Sequence, residues 1–503
     1  MDGLPRETVD LLVVGGGING AGIARDAAGR GLSVLLVEQD DLASHTSSAS
    51  TKLIHGGLRY LEYGEFRLVR EALIERERLW RMAPHIIWPL RFVLPQTQSP
   101  RPAWMVRLGL FLYDHLGGRE KLPGTETIRL NRSRFGAGLK DNAGKAFVYS
   151  DCWVEDSRLV VLNAMDAAAR GATVRTRTRL LAARRDQGRW SATVEADGET
   201  AEVTARALVN AAGPWVADVI GRVGGGGHNR GVRLIKGSHI VLPRLYDGDH
   251  ALMLQNPDRR IVFAIPYEGH FTLVGTTDEP WTDPPGKAQI GAQETRYLLD
   301  TVARYFERPV GEEDIAWSYA GIRPLYDDKA ASASAVTRDY VLDLDVPPGD
   351  APLLSVFGGK ITTYRKLAEH AMEQLAPHLS AEGAWTAGAA LPGGDLPADD
   401  FDGFVAGLER RYPGLPRPLL RRLARAYGSC AVQILGDAGS VDDLGNCIGG
   451  DLYAAEVDYL VANEWARTAE DVLLRRSKLA LHVPKDTAAR LDAYIAGRVA
   501  VAA

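Results

Sequence analysis

The 503 residues, 46% hydrophobic and 24% charged, suffice for two or three domains around a sizeable core. A net charge of -5 excludes a general nucleic-acid binder, which needs a surplus of Lys and Arg to neutralise phosphates. Cys152, Cys430 and Cys447 lie far apart and form no CxxC pair, which excludes a disulfide framework, a zinc site and a dithiol redox centre; no metal is expected.

The first residues carry no apolar leader, and no apolar run approaches the roughly 18 to 20 residues that span a bilayer. A cytoplasmic chain is expected, lying on a membrane if it meets one. The segment Asp10 to Glu38 then predicts a complete β-α-β dinucleotide-binding unit. A hydrophobic strand enters Gly15-Gly16-Gly17-Ile18-Asn19-Gly20, a helix follows to Arg30, and a second strand ends at Glu38. Gly15 serves the tight turn, Gly17 the approach of a pyrophosphate to the helix N-terminus, and Gly20 close packing of helix and strand. Glu38 is placed to accept hydrogen bonds from a ribose diol.

A polar loop over Ser44 to Lys52 suits a position along a cofactor, and Glu65 to Met82 has helical spacing of apolar residues. Prolines at 84, 89, 95, 100 and 102 mark a departure from the first domain. Strand-like runs follow at Thr173 to Thr178, Trp190 to Glu195 and Ala207 to Asn210, the last leading through Ala211 and Ala212 to Gly213, a second cofactor-contacting crossover. A third is predicted at Leu353 to Arg365, where a strand, the pair Gly358-Gly359 and a helix succeed one another. Between them, Ile235 to Asp345 reads as a largely antiparallel sheet inserted into the first fold. The linker from Ala387 to Pro397 opens a helix-like region rich in Leu, Ala and Arg.

The glycine fingerprint is shared by NAD and FAD enzymes and does not decide between them. The serine-rich loop and the two later crossovers favour FAD, whose longer body needs contacts from more of the chain. No second complete GxGxxG unit is present for a nicotinamide nucleotide.

The segments Ser47 to Glu62, Ile235 to His239, Gly275 to Asp278, Gly321 to Leu325 and Phe357 to Lys366 resemble the FAD-dependent, aerobic glycerol-3-phosphate dehydrogenases. The similarity runs from residue 10 to about residue 372 and continues mainly in Ala454 to Lys478. It implies an α/β plus α+β chain of the glycine and D-amino-acid oxidase-like kind. A Rossmann-like FAD-binding domain is discontinuous over 1–80, 145–234 and 346–385. An antiparallel-sheet substrate domain occupies 81–144 and 235–345, and a C-terminal helical domain 395–503. The implied reaction is oxidation of sn-glycerol 3-phosphate at C2 to dihydroxyacetone phosphate, with a hydride passing to flavin N5 and electrons continuing to a membrane quinone.

A phosphate dianion calls for fixed cations, and Arg59, Arg323, Arg338 and Lys360 stand in the similar segments; internal pairing with Asp or Glu is the alternative for each arginine. Hydride loss from an alcohol carbon is easier when the hydroxyl proton leaves with it, so His239 is assigned as base and Arg323 as the group that polarises the developing alkoxide. Tyr60 and Thr276 are candidates to bond substrate oxygens, with His55 nearby in sequence. Thr46, Ser47, Ser48 and Lys52 are expected along the pyrophosphate and flavin side, with Gly213, Gly358, Gly359, Lys360 and Thr362 from the later crossovers. A helix beginning just after Gly358-Gly359 would offer N–H groups to anionic flavin N1.

A quinone acceptor implies docking at the inner face of the cytoplasmic membrane. Arg101 to Tyr113 mixes apolar, aromatic and arginine residues as interfacial segments do, and Arg417, Arg421 and Arg425 share a helical face with Arg410, Arg411 and Arg422 nearby. The sequence leaves the assembly open, with a homodimer as the candidate. A glycerol-3-phosphate oxidase returning electrons to oxygen, another amine or hydroxy-acid oxidase of the same fold, and a non-catalytic flavoprotein are the competing readings.

Overall fold

The apolar run at the start of the chain forms the strand Glu7–Val14, inner to the first of two large sheets in the computed structural model. The structure describes residues 7–223, 231–326 and 339–502, and the described residues give sheets of eight and ten strands. In the first sheet the order is Val341–Asp345, Leu353–Phe357, Glu199–Asn210, Glu7–Val14, Val34–Val37 and Thr173–Arg175. All but the first of these run parallel. The strands Thr178–Asp186 and Arg189–Ala196 add an antiparallel extension against Glu199–Asn210.

Continuous burial of Leu11, Leu12, Val13 and Val14 follows from cover on both faces of the sheet. On one face the helix Ile18–Gly29 packs between Asp156–Ala169 and Tyr364–Leu375. Its buried alanines 21, 24, 27 and 28 let neighbouring backbones come close.

The second sheet is the inserted one. Its order is Glu279–Pro280, Val232–Pro243, Phe271–Gly275, Ile261–Tyr267, Ala251–Gln255, Ile87–Pro95, Lys145–Val154 and Leu53–Ile54. Trp317–Tyr326 pairs with the free side of Val232–Pro243 over its first ten residues, and only Ala251–Gln255 with Ile87–Pro95 is a parallel pair. Alternation divides its side chains: Val241, Phe92 and Ile265 join the cluster under the helix Ala103–Leu116, while Ile240, Leu242 and Val274 pack with Leu298 and Val302 of Ala292–Tyr305.

Sheet membership corrects the sequence reading at three strands; Leu53–Ile54, assigned to the FAD-binding part, pairs with Lys145–Val154 in the second sheet. Lys145–Val154, assigned to the FAD-binding part, pairs with Ile87–Pro95 in the second sheet, and Val341–Asp345, assigned to the substrate part, pairs with Leu353–Phe357 in the first. The latter two are strands by composition, and composition does not say which neighbour a strand pairs with.

The C-terminal region gathers Phe401–Arg411, Arg417–Tyr427, Ala454–Glu464 and Thr487–Ala502 around Leu420, Leu423, Val457, Leu460 and Leu491. Buried ion pairs tie it to the first domain. Asp41 receives Arg475 Nε at 2.6 Å and Arg476 Nη2 at 2.8 Å, and Arg158 pairs with Glu464. Among the described residues no helix is long and apolar enough to cross a membrane.

Candidate active site

A cleft of about 990 Å³ runs along the C-terminal ends of the central strands of the first sheet. Its walls come from all three predicted crossovers: Gly15 and Gly17, Gly213, and Gly358 and Gly359, with Glu38, Thr46 and Ser47 between them. The backbone shapes it. Gly15 adopts φ +110°, and a Cβ there would stand 2.5 Å from the Ala211 carbonyl oxygen. At Gly20 a Cβ would fall 1.9 Å from the Gly15 carbonyl oxygen, so the turn itself, rather than helix-strand packing alone, requires that glycine.

The amide of Ile18, opening the helix, donates to Ser47 Oγ at 3.0 Å, which puts a hydroxyl and the helix N-terminus at one spot. Such a terminus receives phosphate oxygens. Glu38 is buried at the end of its strand, accepting the Gly16 amide at 2.6 Å and the Asp40 amide at 2.9 Å, while burial holds its carboxyl above the usual range. Asn19 Nδ2 donates to the Gly358 carbonyl at 3.1 Å, joining the third crossover to the first. Thr178, Arg179, Leu180 and Trp215 complete the ribose end of the cleft. A glycine-lined cradle at a helix N-terminus with an acid at the far strand fits the adenosine diphosphate half of FAD.

Three cofactor expectations are corrected or displaced. Ser48 lines an adjoining pocket that shares His45, Thr46 and Trp215 with this cleft, its hydroxyl donating to the His45 carbonyl at 3.2 Å. Lys52 is wholly buried, its ammonium 2.8 Å from Asp156 Oδ1 and 3.1 Å from the Ser48 carbonyl, so it serves the fold as the partner of a buried carboxylate. The helix after Gly358-Gly359 begins only at Tyr364, because the glycines take φ of +73° and +97° and a turn over 361–363 intervenes. Thr46 lines the cleft and donates to the Ile322 carbonyl at 2.6 Å, clamping the loop to the second sheet.

On the second sheet, antiparallel register sets Ile235, Gly237 and His239 opposite Arg323, Gly321 and Tyr319. Opposed residues share a face, so the two glycines lie between His239 and Tyr319 on one side and Arg323 on the other, and they let neighbouring groups close in: a Cβ at Gly321 would stand 2.7 Å from Ala49 Cβ. A Cβ at Gly237 would stand 2.6 Å from Arg323 Nη2 and 2.8 Å from Thr276 Oγ1. The predicted His239, Arg323 and Thr276 thus gather around Gly237. Arg323 Nη2 donates to the Thr277 carbonyl at 2.9 Å and to Asp278 Oδ1 at 2.5 Å; the guanidinium is half-buried, so internal pairing and an open edge coexist.

His239 is buried, stacked on Tyr319, with Nε2 3.0 Å from Thr51 Oγ1. Burial, with the Lys52 and Arg323 charges, pushes its pKa down to about 3, so the ring is neutral at neutral pH, with a lone pair on one of its two nitrogens.

A second cluster joins the motif around residue 60 to the third crossover. Lys360 Nζ lies 3.8 Å from the centroid of the Tyr60 ring, and the His55 amide donates to Thr362 Oγ1 at 3.2 Å. Arg59 Nη2 reaches the Tyr63 hydroxyl at 3.4 Å. Arg338 lies outside the described residues. Sequence reasoning singled out neither Thr51 nor Tyr319 nor Asp156. Thr51 stood inside a quoted motif, whereas Tyr319 is legible only through strand register.

In the candidate basic region Arg410, Arg411, Arg417 and Arg421 are exposed, the last two with acidic partners. Arg417 pairs with Glu409, Arg421 with Asp402, and Arg422 with Asp451 and Glu456, while Arg425 lies over the Phe401 ring. By contrast, among the described residues the exposed large apolar side chains are Tyr63, Phe66, Trp104, Met105, Leu108 and Phe111, four of them on the helix Ala103–Leu116.

Residues 10–365 match the family described as FAD dependent oxidoreductase, and residues 384–497 match the C-terminal domain of alpha-glycerophosphate oxidase. A glycerol-3-phosphate dehydrogenase of Pseudomonas aeruginosa is 55% identical over 491 residues, covering 97% of this chain and 95% of that protein. A D-erythritol 1-phosphate dehydrogenase of Brucella abortus is 54% identical over 481 residues, 95% of each chain. The structure is also similar to that of a glycerol-3-phosphate dehydrogenase from Bacillus halodurans complexed with FAD, with TM-score 0.73 and 28% identity, over 94% of this chain and 86% of that one.

Proposed function

Because this chain belongs to the family of FAD-dependent glycerol-3-phosphate dehydrogenases, we propose that it oxidises sn-glycerol 3-phosphate to dihydroxyacetone phosphate and passes the electrons to a membrane quinone. FAD held by Gly15, Gly17, Ser47, Gly213, Gly358 and Gly359 would supply the hydride acceptor. The observation that carries the reading is the strand face shared by His239, Gly237, Gly321 and Arg323, where a neutral imidazole and a guanidinium flank two opposed glycines. His239 receives the C2 hydroxyl proton. Arg323, always charged, steadies the oxygen as negative charge develops on it. Burial is the main cause of the low basicity of His239; a phosphate dianion beside Arg323 would offset the smaller part that comes from the Lys52 and Arg323 charges. Thr276 bonds a substrate oxygen, and Arg59, Tyr60 and Lys360 supply the second polar cluster; Arg338 is assigned to the phosphate as well.

The quinone part rests on surface chemistry. Tyr63, Phe66, Trp104, Met105, Leu108 and Phe111 form an apolar, aromatic surface suited to the headgroup boundary of a bilayer. An adjoining cleft of about 830 Å³, lined by Phe66, Met105, Leu108 and Met253, extends to Arg59. This gives an apolar acceptor a route from lipid toward the site and supports peripheral attachment to the inner face of the cytoplasmic membrane. A homodimer is retained as the candidate assembly.

The test is anaerobic absorbance of the FAD-loaded protein on adding sn-glycerol 3-phosphate, with glycerol as control. Bleaching specific to the phosphate ester is expected, and its absence would overturn the substrate assignment. A second reading, D-erythritol 1-phosphate as substrate, is favoured by the match to the Brucella abortus enzyme and is decided by adding both esters in the same measurement.

A further inference from the structure

The C-terminal region has no part in the chemistry above, yet one of its cations ends beside the loop that holds His239. Asp156 opens the helix Asp156–Ala169 and is wholly buried. Its Oδ1 receives Lys52 Nζ at 2.8 Å and, from the C-terminal region, Lys478 Nζ at 3.4 Å. Its Oδ2 receives the Ser50 hydroxyl at 2.8 Å and the Ser50 amide at 3.3 Å. The Lys52 amide donates in turn to Ser50 Oγ at 2.9 Å, and Lys52 Nζ to the Ser48 carbonyl. One carboxylate therefore fixes the loop from Ser48 to Lys52.

That loop holds His239 from two sides. Thr51 Oγ1 meets Nε2 at the ring edge, and the Ser50 carbonyl accepts the Tyr319 hydroxyl at 2.8 Å, fixing the ring that stacks on the imidazole face. We propose that Asp156 and Lys478 are positioning residues for His239, acting through Ser50, Thr51 and Tyr319, so that docking of the C-terminal region sets the orientation of the proton acceptor. The proposal rests on the reading of His239 as that acceptor.

Lys478 is the informative position. Replacing Asp156 would leave Lys52 charged, buried and unpaired, which threatens folding. Removing Lys478 leaves Asp156 its Lys52 partner, and the C-terminal region keeps its Arg475 and Arg476 pairs with Asp41. A buried carboxylate between two ammonium groups tolerates the loss of the longer contact but loses a constraint on its place.

The experiment is anaerobic flavin reduction by sn-glycerol 3-phosphate in the full-length holoprotein and in Thr51→Val, Lys478→Met, Lys478→Arg and the Thr51→Val/Lys478→Met pair. Thr51→Val is expected to lower the limiting rate about tenfold with half-saturation unchanged, since small misorientation of a reacting group costs rate before binding. Lys478→Met is expected to lower it about threefold at unchanged FAD content, Lys478→Arg to restore it, and the pair to be no slower than Thr51→Val alone. A wild-type rate in Lys478→Met, multiplying effects in the pair, or loss of FAD parallel to the loss of rate would overturn the proposal. If wild-type protein is not reduced by the ester while erythritol 1-phosphate reduces it, the substrate assignment fails and the same four variants test the tether with that substrate. If neither ester reduces it, the premise itself falls.

Discussion

The imidazole of His239 lies against the ring of Tyr319, with centroids 4.8 Å apart and planes 16° from parallel. The two residues are direct partners on neighbouring antiparallel strands, so strand register fixes the ring pair. Opposite His239 on its other side stands Gly275, where a Cβ would come 2.1 Å from the imidazole Cδ2. The ring is thus confined between an aromatic face and a bare strand, and its orientation is set before any substrate arrives.

Replacing His239 by Ala should lower the limiting rate of anaerobic flavin reduction by a factor of about 100 or more, with little change in half-saturation. Rapid-mixing absorbance over a range of substrate concentrations checks this. An unchanged limiting rate would remove His239 from the mechanism.

Gly237→Ala inserts a methyl group within 2.6 Å of Arg323 Nη2 and 2.8 Å of Thr276 Oγ1. The variant should retain FAD, whose adenosine diphosphate half is held by other residues, and lose kcat/KM by roughly tenfold or more as both side chains are displaced. Steady-state kinetics beside the flavin-to-protein absorbance ratio reads both quantities. Equal loss of FAD and activity would contradict the separation of the two regions.

Asp41 holds two buried arginines, Arg475 and Arg476, at the junction with the C-terminal region. Asp41→Ala should cost about 3 to 5 kcal/mol, because it leaves guanidinium groups buried with fewer partners. Thermal unfolding compared with an exposed control, Asp402→Ala at the 81% exposed Asp402, gives the contrast. Similar melting temperatures for the two variants would count against the junction as a stabilising contact.

Stability should fall as the medium is acidified from about pH 6.5. Burial holds His85 and His239 down to about 3 and His250 to about 4, against 6.5 in an unfolded chain. Between those limits the unfolded state binds more protons, so stability rises with pH there and is lost on acidification, by about 1.4 kcal/mol per pH unit for each group. Denaturant titrations at pH 7, 6 and 5 measure the slope. His250→Phe, which keeps an aromatic ring against Phe135 and Tyr246, should lessen it; an identical slope would show that His250 titrates normally.

Trp104→Glu with Leu108→Glu places two charges on the exposed face of the helix Ala103–Leu116. Sedimentation with phospholipid vesicles should show loss of binding, while bleaching by substrate continues at the wild-type rate. Retained vesicle binding would move the membrane contact to another surface.

Much of the dinucleotide cleft was legible in the sequence because its parts are local. Gly15, Gly17, Gly20 and Glu38 sit at fixed offsets within one strand-helix-strand unit, and their conformational demands are written in neighbouring residues. The third crossover was legible as strand and glycine pair but not in its helix start, since consecutive left-handed glycines delay the helix by a turn that propensity does not reveal. Lys52 shows the opposite limit. In sequence it is a cation in a polar loop; the partner that turns it inward, Asp156, lies 104 residues away.

The sequence by itself determined the nucleotide fold, its glycine turns and, through long motifs, the residues to expect at the chemistry. Only the tertiary structure decided which of them meet: His239 with Tyr319 and Thr51, Arg323 with Asp278 beside Gly237, and Lys478 with Asp156. The physical reason is that periodicity and turn chemistry act over a few residues, whereas strand register and buried ion pairing select partners by satisfying backbone and charge across the whole chain.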